Sequence, residues 1–554
     1  MKIMINSDVS DWAIGTLTKS IIKHNPRFNW VSIDVHPRGL ANSFIYLHDA
    51  LKDGVDVWHA QYWNSALNML DAIPELKHIP SVLTHQNHNS LEKKDWNMFN
   101  GLVHPTHWGC EKLRKKHKNV FHIPHGIDLD RYTWIDEPCE EDNVGYIGRV
   151  MPHKHLKEIC IAAKNLNYMV LGSGYVDKID YWNSIGEVYY GKDAIETMTD
   201  DEGIKIEKFK EFKAPEKYLK FLGGSGRVSM APANMKDDLY RKIKVFVMYS
   251  TGEYESGTLP LFEAMARGVP VMATSQGSAR DLIEHGKNGI IFNEDNFEEE
   301  LKKLMEDKEL RMKLRKNAWQ TVKNYSDQRL ARRYAKVYYD IGFNGQPVVS
   351  VIIPTFERAE HLADTIMSVE MQDYVAKEII VIDDGSDDNG ETKMLCNKLK
   401  TKIDTPLLYL NTNDTKHYGL AKARNMGVVE SLGETLLFLD DRLVLEEGAL
   451  EEVANVKDGE WNFGGKRTKT GLSTKRTFIE NFSWIKKADF VKGGMFNERM
   501  GYYGGMSQIL REQYKEKVEF IYNDKAVAKE AVRAKRGRKS DIWKAKDIIN
   551  KLYD

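Results

Sequence analysis

The stretch Gly252–Phe292, GEYESGTLPLFEAMARGVPVMATSQGSARDLIEHGKNGIIF, decides the fold. Its ESGT segment is a glycine-containing loop, and a helix is expected to begin near Leu259 and Pro260, because proline suits the first turn of a helix. GVPVMAT then predicts the next buried strand. Backbone N–H groups at such a helix start point outward and favour a diphosphate. We therefore expect one unit of a parallel α/β sheet with an anion-binding turn at its edge.

Short apolar runs alternate with helical patterns on both sides of this stretch. KIMIN, WVSIDV and DVWHA precede the acidic turn DEPCEEDN, and NVGYIG and VFVMYS follow it. Such alternation is typical of βαβ units in a parallel sheet. We expect one lobe over residues 1–140 and a second over 141–345, which ends in long charged helices. GFNGQP interrupts the pattern, and VVSVIIPTF opens a third α/β domain, expected over residues 346–530.

The composition excludes several classes of protein. At 554 residues the chain is too long for one core, and a net charge of −1 does not indicate overall nucleic-acid binding. No window approaches the roughly 18 apolar residues of a membrane span, and MKIMINSDVSDW lacks the apolar core of a signal peptide. The four cysteines are scattered without a CxxC pair. We therefore expect a cytoplasmic protein with no membrane span and no disulfide framework.

Three segments in order resemble a known enzyme family. Glu255 and Glu263 are separated by seven residues and followed by GVPV, and HIPHGIDLDRY and GYIGRVMPHKHLKEI precede them. The set resembles the family 4 retaining glycosyltransferases, whose GT-B fold has two Rossmann-like lobes. The resemblance covers Lys2–Ile341. It implies transfer of a sugar from a nucleotide-sugar donor, of the UDP or GDP type, with retention of configuration.

The resemblance also implies roles for individual residues. Glu255 contacts the donor sugar, with a helix-dipole contact as the alternative, and Glu263 holds the ribose. His85 in SVLTHQNHN matches a histidine near the sugar, with a satisfied strand-end histidine as the alternative. His155 stands where the family has glycine, which predicts a changed loop after Lys154. Six residues are expected to contact the donor phosphates. They are a glycine near the N-terminus, two cations and the start of one helix: Gly15, Arg149, Lys154, Gly257, Thr258 and Leu259.

These assignments fit the chemistry of glycosyl transfer. Breaking a glycosyl–phosphate bond builds positive charge on the anomeric carbon and negative charge on the leaving diphosphate. Arg149, Lys154 and the helix start after Gly257 would stabilise that leaving group. For this reason such a site is expected to work without a metal ion.

The third domain resembles a second family. VSVIIPTFERAEHLADTIMSV, EIIVIDDGSDD and HYGLAKARNMGVVESLGETLLFLDD lie in order within Val348–Val532. They resemble the family 2 glycosyltransferases of the GT-A fold. Asp383 and Asp384 would contact the base and the ribose of a nucleotide. The implied nucleotide site consists of four acids and one arginine: Asp383, Asp384, Arg424, Asp440 and Asp441.

Three departures from the family 2 pattern change the expected chemistry. The metal motif reads Asp-Asp-Arg, so that Arg442 stands where an acid would ligate a metal. Met506 and Ser507 follow YYGG, where the family has Glu-Asp and its general base. Lys529 corresponds to a metal-ligating histidine.

These departures predict a non-catalytic GT-A domain. An active domain with displaced residues is the alternative, with Asp441 or Glu498 as candidate bases. Magnesium or manganese is expected only if this domain is active, and no metal ligand set is assigned. The oligomeric state is left open.

Four functions follow from these patterns. The first is a glycosyltransferase whose chemistry lies in the GT-B half, acting on a glycan, a lipid-linked sugar or modified DNA. The second is a bifunctional, polysaccharide-building enzyme with both halves active. The third is a glycosyltransferase that acts on bases of phage DNA, as some GT-B enzymes do. The fourth is a sugar-nucleotide-binding protein without turnover.

The DNA alternative depends on two basic segments. The last thirty residues hold ten Lys or Arg and four Asp or Glu, which predicts a basic tail over 531–554. A solvated charged helix is its default interpretation. As a phosphate-binding arm, it would act with EKLRKKHKN in the first lobe.

Overall fold

The computed structural model describes most of the chain. The described residues are 1–7, 13–34, 51–52, 54–86, 91, 95–173, 181, 184–185, 195–199, 205–209, 219–221, 233–252, 257–413, 419–468, 471–472, 478–498 and 506–530. Glu255 and the predicted tail over 531–554 lie outside these residues. Within the described ranges, none of the helices combines the length and apolar character that crossing a bilayer requires.

The first lobe contains a six-stranded sheet that is parallel throughout, in the order β2-β1-β3-β4-β5-β6. Its strands are β1 (Lys2–Ser7), β2 (Asn29–Asp34), β3 (Val57–Ala60), β4 (Ser81–Thr84), β5 (Gly101–His104) and β6 (Val120–His122). Its α-helices are α1 (Ala13–Lys23), α2 (Trp63–Ala72) and α3 (His107–Arg114), and a 3₁₀ helix spans Pro74–His78.

The second lobe contains another parallel six-stranded sheet, in the order β11-β8-β7-β12-β13-β14. The strands of this lobe are β7 (Asn143–Ile147), β8 (Met169–Ser173), the antiparallel pair β9 (Ile195–Thr199) and β10 (Lys205–Phe209), β11 (Leu219–Phe221), β12 (Val245–Met248), β13 (Val271–Thr274) and β14 (Ile290–Phe292). The order reverses between β7 and β12, and ligands of open α/β sheets bind at such switch points.

The helices of the second lobe surround this sheet, and the last of them returns to the first lobe. They are α4 (Leu156–Asn165), α5 (Ala233–Lys242), α6 (Leu259–Arg267), α7 (Ser278–Leu282), α8 (Phe297–Glu306), α9 (Lys308–Val322) and α10 (Asp327–Gly342), with 3₁₀ turns at Pro152–Lys154 and Lys323–Tyr325. On α10, the Tyr338 hydroxyl is hydrogen bonded to Nδ1 of buried His59 at 2.7 Å. Asn25 Nδ2 donates to the carbonyl of Ala331 at 2.7 Å. Helix α10 therefore packs on the first lobe.

The third domain is built on a mixed sheet in the order β17-β16-β15-β18-β22-β20-β23-β19, with β21 paired to β20. Its strands are β15 (Val349–Thr355), β16 (Lys377–Asp383), β17 (Leu407–Asn411), β18 (Thr435–Leu439), β19 (Leu443–Leu445), β20 (Glu460–Thr468), β21 (Gly471–Leu472), β22 (Phe482–Lys486) and β23 (Glu519–Glu530). Its helices are α11 (Ala359–Glu370), α12 (Glu391–Lys400), α13 (Leu420–Glu430), α14 (Ala449–Ala454), α15 (Lys487–Gly493) and α16 (Met506–Tyr514).

The central strands of the third domain are buried at every position. Val351 of β15 packs in the core with Leu362, whereas its neighbour Ile352 packs in another core cluster with Ile380. Successive side chains point to opposite faces of a strand, and a parallel sheet is covered on both faces. The continuous apolar runs that predicted these strands follow from this double burial.

A buried carboxylate joins the third domain to the first lobe. Glu378 of β16 is 1% exposed. It accepts hydrogen bonds across the junction from Arg27 Nη1 at 2.6 Å and from the Tyr339 hydroxyl at 3.0 Å. Within its own domain it accepts them from Ser350 Oγ and the Leu432 N–H, both at 2.6 Å. The complete set of donors around Glu378 therefore requires both sides of the junction to be in place.

The charges at this junction stabilise each other. Burial alone would raise the pKa of Glu378, but the Arg27 guanidinium and the hydrogen bonds outweigh it and hold the pKa below its ordinary value of 4.5. Burial likewise opposes the charge on Arg27, yet Glu378 raises the pKa of that guanidinium. Farther along the junction, Arg332 Nη2 donates to the carbonyls of Val429 at 2.5 Å and Ser431 at 2.8 Å.

We predict that Arg27→Met lowers the free energy of unfolding by about 3–5 kcal/mol, because it leaves the Glu378 carboxylate buried without its cation. Guanidinium denaturation of the full chain at pH 7 measures this loss. The matched double variant Arg27→Met/Glu378→Leu removes both charges, and we expect it to recover most of the lost stability.

The pH dependence of this loss provides a second check. A carboxylate with a depressed folded pKa stabilises the fold above its unfolded pKa of about 4.3 and loses that contribution as pH falls through the folded value. The gap between wild type and Arg27→Met should therefore narrow below pH 4.5. A gap that stays constant from pH 7 into this acid range would exclude the ion pair as its cause.

Candidate functional site

The two cations expected at the donor phosphates follow β7 at the switch point of the second lobe. Arg149 is exposed two residues after β7, and Lys154 ends the 3₁₀ turn at Pro152–Lys154. Strands β7 and β12 are parallel neighbours. The loop with both cations therefore lies at the same sheet edge as the segment that leads from β12 towards Glu255.

His155 keeps the backbone conformation that glycine favours. Its φ is 46° and its ψ is 34°, in the left-handed region, where histidine is tolerated better than most side chains. The His155 ring stacks on Tyr249 with 4.5 Å between ring centroids, and Nε2 is 2.7 Å from Thr251 Oγ1. The Thr251 N–H donates to the carbonyl of His153 at 3.0 Å. The histidine thus adds contacts between the two loops and is itself left-handed, and the predicted change of the loop after Lys154 stays a prediction.

The helix start that was expected to bind phosphate is tightly packed. Helix α6 begins at Leu259, directly after Thr258, with Pro260 in its first turn. The Thr258 N–H donates to Ser278 Oγ at 3.2 Å, and the two hydroxyls are 2.8 Å apart. A Cβ atom on Gly257 would lie 2.0 Å from the His125 ring. Glycine is therefore required where the chain enters the helix.

Glu263 lies in the second turn of α6 and is 5% exposed. The Tyr132 hydroxyl donates to Oε1 at 2.9 Å, and the Tyr240 hydroxyl donates to Oε2 at 2.8 Å. Burial, and secondly the nearby Glu263 carboxylate, raise the pKa of Tyr240 well above its ordinary value. A carboxylate oxygen has more than one acceptor site. A ribose contact by Glu263 is compatible with this geometry and stays a prediction.

A polar chain connects the first lobe to the start of α6. Nε2 of His125 donates to Gln86 Oε1 at 3.1 Å, and Gln86 Nε2 donates to Gln61 Oε1 at 3.2 Å. Burial lowers the pKa of His125 to about 4, so this histidine is neutral at pH 7. The segment HIPHGIDLDRY was recognised in the sequence, but His125 and Tyr132 within it were not singled out. Tyr240 gave no sequence signal.

Three further residues were predicted for the site in the GT-B half, namely Gly15, His85 and Glu255. Gly15 is buried in the first turn of α1. His85 follows β4, is fully buried and makes an edge-to-face contact with Trp96, with 5.0 Å between ring centroids. This burial agrees with the alternative of a packed strand-end histidine, and a role at the sugar stays a prediction. Glu255, the predicted sugar contact, lies outside the described residues.

The acids of VIDDGSDD in the third domain have local partners. Asp383 accepts hydrogen bonds from the Ser386 N–H at 2.9 Å and the Tyr409 hydroxyl at 2.7 Å. Asp384 Oδ2 accepts one from the Gly419 N–H at 3.0 Å. Burial raises the pKa of Asp388, but hydrogen bonds from the Thr392 hydroxyl and from the N–H groups of Thr392 and Gly390 outweigh it and lower the pKa. The loop is thus built by its own acids, and the nucleotide contacts of Asp383 and Asp384 stay predictions.

The motif after β18 is held by cations and hydroxyls. Asp441 is 1% exposed and accepts hydrogen bonds from Thr355 Oγ1 at 2.9 Å and Arg358 Nη1 at 3.3 Å. Burial, followed by the neighbouring Asp440, raises the pKa of Asp441 to about 7. Arg442 lies 3.5 Å from Asp440 Oδ2.

This donor set does not fit the divalent metal that family 2 implies. Asp441 is enclosed by its own partners, and a guanidinium faces Asp440 instead of a third carboxylate. Among the residues that the structure describes, no group of three or more His, Cys, Asp and Glu side chains is arranged to hold a metal. We therefore derive no step through a metal ion.

Glu480 supplies a carboxylate beside Ser507, where family 2 has an acid. The Ser507 hydroxyl donates to Glu480 Oε2, and Glu480 Oε1 is 4.0 Å from Nη1 of buried Arg424. Strand β22 pairs antiparallel with β18, and the Asp440 N–H donates to the carbonyl of Asn481 at 3.0 Å. The sequence did not single out Glu480 because this strand pairing, not a motif, brings it to the site. The alternative base Glu498 instead accepts a hydrogen bond from Asn425 Nδ2 at 2.9 Å.

The two basic segments of the DNA alternative gain no support from the structure. Within EKLRKKHKN, Lys112 Nζ lies over the Trp108 ring, 3.9 Å from its centroid. The tail over 531–554 lies outside the described residues.

Two family models match this chain, one in each half. The model described as glycosyl transferases group 1 matches residues 136–321, and the model of glycosyl transferase family 2 matches residues 350–517. These matches confirm the expected order of a GT-B type region followed by a GT-A type domain.

Two curated proteins are similar to parts of the chain. The GalNAc(5)-diNAcBac-PP-undecaprenol β-1,3-glucosyltransferase of Campylobacter jejuni is 34% identical over 200 residues, which cover 32% of this chain and 62% of that protein. The poly(ribitol-phosphate) β-N-acetylglucosaminyltransferase TarP of Staphylococcus aureus is 34% identical over 161 residues, which cover 27% of this chain and 45% of that protein. The chain thus spans less than two thirds of either relative.

A solved structure is similar to the chain over a longer stretch. The Anabaena protein HepE, crystallised with UDP and glucose, superposes with a TM-score of 0.45 and 15% identity. The match covers 61% of this chain and 99% of that one.

We predict that Gly257→Ala destabilises the chain by about 1–3 kcal/mol, because the new methyl group overlaps the His125 ring. Thermal unfolding measures the loss. In an His125→Ala background the overlap is gone, so the same Gly257→Ala change should cost much less. Equal losses in both backgrounds would show that the contact with His125 is not the constraint.

Proposed function

The chain joins a group 1 glycosyltransferase domain of the GT-B type to a family 2 glycosyltransferase domain of the GT-A type, and from this premise we propose that it transfers a sugar from a nucleotide-sugar donor with retention. The chemistry lies in the GT-B half. The donor is of the UDP or GDP type, and the acceptor is a glycan or a lipid-linked sugar.

The contact between two loops at the switch point of the second lobe carries this proposal. The loop with Arg149 and Lys154 is hydrogen bonded to the segment after β12 through His153 and Thr251, and His155 stacks on Tyr249. The contact fixes the cations relative to the segment that leads to Glu255. A diphosphate leaving group needs positive charge and N–H donors that are in place before the bond breaks.

The GT-B half performs its steps with its own side chains. Arg149, Lys154 and the N–H groups at the start of α6 neutralise the charge that develops on the leaving diphosphate. Glu263, oriented by Tyr132 and Tyr240, holds the ribose. Glu255 lies beside the anomeric carbon and stabilises its positive charge.

We expect Glu255→Gln to lower turnover by roughly 10²–10³ with little change in thermal stability, because it removes one charge that acts on the transition state. The measurement is transfer by the full chain across a panel of UDP and GDP sugars. Glu253→Gln changes a neighbouring acid of the same loop and is the matched control, expected to stay near wild type. If Asp384→Asn abolishes transfer while Glu255→Gln does not, the chemistry is in the other half.

A second candidate function is a bifunctional enzyme, and Glu480 favours it. The third domain has lost the acids expected at Met506 and Ser507, but Glu480 brings a carboxylate to Ser507. This carboxylate would take the proton from an acceptor hydroxyl as general base. The names of both curated relatives describe transfer of β-linked sugars, to PP-undecaprenol-linked or poly(ribitol-phosphate) acceptors.

For this second function we predict that Glu480→Gln lowers formation of a β-linked product by about 10²–10⁴, the range for loss of a general base. Acceptors of the two classes named for the relatives would be offered to the full chain with UDP sugars. Glu498→Gln is the matched variant and should leave the rate nearly unchanged. A β-linked product formed equally fast by Glu480→Gln would show that another group is the base.

A further inference from the structure

A basic cleft lies between α10 and the third domain, on the junction that Glu378 and Arg27 hold together. Its volume is about 780 Å³. Of the described residues that line it, two are acids, Glu434 and Asp458. It is also lined by six basic side chains: Arg329, Arg332, Arg333, Lys336, Lys486 and Lys487.

The cleft is separate from the nucleotide site expected in the third domain. Lys486 pairs with Thr435 at the first residue of β18, whereas Asp440 and Asp441 follow its last residue. Five strand residues at about 3.3 Å each separate the two places. The cleft therefore lies at the amino ends of the central parallel strands, whereas VIDDGSDD lies at their carboxyl ends.

Three of the six cations have structural partners. Arg332 binds the carbonyls of Val429 and Ser431, and Lys487 Nζ donates to the Ser431 carbonyl at 2.6 Å. Lys486 Nζ donates to Thr435 Oγ1 at 3.3 Å. Arg332 Nη1 also lies 3.4 Å from Glu430 Oε2 in an ion pair. These three cations therefore hold the walls of the cleft together.

The other three cations are exposed along one face of α10. Arg329, Arg333 and Lys336 are spaced four and three residues apart, which places them on one side of a helix. None of the three forms an ion pair with a residue that the structure describes. At 1.5 Å per residue they span about 10 Å along the helix axis.

The cations of the cleft disfavour each other's charge. Burial, and secondly Arg332, lower the pKa of Lys487 to about 8. Partial burial also lowers the pKa of Arg333 against an opposing effect of Tyr325, and Arg329 makes a smaller further contribution in the same direction as burial. A bound anion would remove this repulsion, which is the electrostatic condition for an anion site.

We propose that this cleft binds phosphate groups of a linear phosphodiester or diphosphate ligand. Guanidinium groups bind phosphate through paired N–H donors, and the row from Arg329 to Lys336 is long enough to contact successive phosphates. The ligand is held by the junction of the two halves. The proposal is independent of which half transfers a sugar.

Binding of a fluorescent glycerol-phosphate oligomer to the full chain, with saturating UDP present to fill donor sites, tests this site. We expect the exposed triple variant Arg329→Gln/Arg333→Gln/Lys336→Gln to bind roughly 10- to 100-fold more weakly. Its melting temperature should match that of wild type, because all three side chains are exposed. The triple variant Lys302→Gln/Lys313→Gln/Lys316→Gln removes three exposed charges from α8 and α9, and it should bind like wild type.

A second arm uses vesicles of phosphatidylglycerol to distinguish the source of the phosphate. Binding of the oligomer alone identifies a soluble phosphodiester chain, and binding of vesicles alone identifies a lipid headgroup, provided that the α10 triple variant weakens that binding by the expected factor of roughly 10 to 100. Equal weakening by both triple variants would show nonspecific charge attraction and overturn the proposal. Wild-type binding by the α10 variant, or no binding of either probe, would also overturn it.

Discussion

The ion pair of Arg27 and Glu378 is the interaction on which the arrangement of the two halves depends. A carboxylate within a buried strand is costly unless its lone pairs have donors. Glu378 meets this condition only because Arg27 of the first lobe and Tyr339 of α10 join Ser350 and Leu432 of the third domain. The fusion is therefore a single packed unit at this junction, and the basic cleft beside it has fixed walls.

Both candidate active sites lie where the strand order of a sheet reverses. In the second lobe, the order reverses between β7 and β12, and the loops after these strands hold Lys154 and lead to Glu255. In the third domain the order reverses between β15 and β18. There Thr355, the last residue of β15, and Arg358, three residues later, bind Asp441, which follows β18. Each sheet places its polar loops where parallel α/β sheets bind ligands.

Local patterns in the sequence predicted the units of the fold well. Continuous apolar runs such as EIIVID mark strands buried on both faces, and GVPVMAT after ESGT marked a helix–strand unit that the structure confirms. The left-handed turn at His155 was harder to foresee. A histidine there predicted a loop that differs from the family's, which stays a prediction. In this chain, stacking on Tyr249 and the contact with Thr251 hold the left-handed turn in place.

The residues that the sequence did not reveal are those that long-range packing brings in. Glu480 reaches Ser507 through the pairing of β22 with β18, and Tyr240 reaches Glu263 from a separate helix. Glu378 carries no motif, since its partners are 351 and 39 residues away along the chain. Such residues belong to no local pattern, and only the tertiary structure assigns them a partner.

The configuration of the product tests the central claim, retaining transfer by the GT-B half, most directly. The full chain would be given an α-linked nucleotide sugar such as UDP-glucose, and the new glycosidic bond would be read by proton NMR from the coupling of its anomeric proton. An α-linked product is the predicted result. A product that is β-linked from the first turnover would contradict retention and move the chemistry to the third domain.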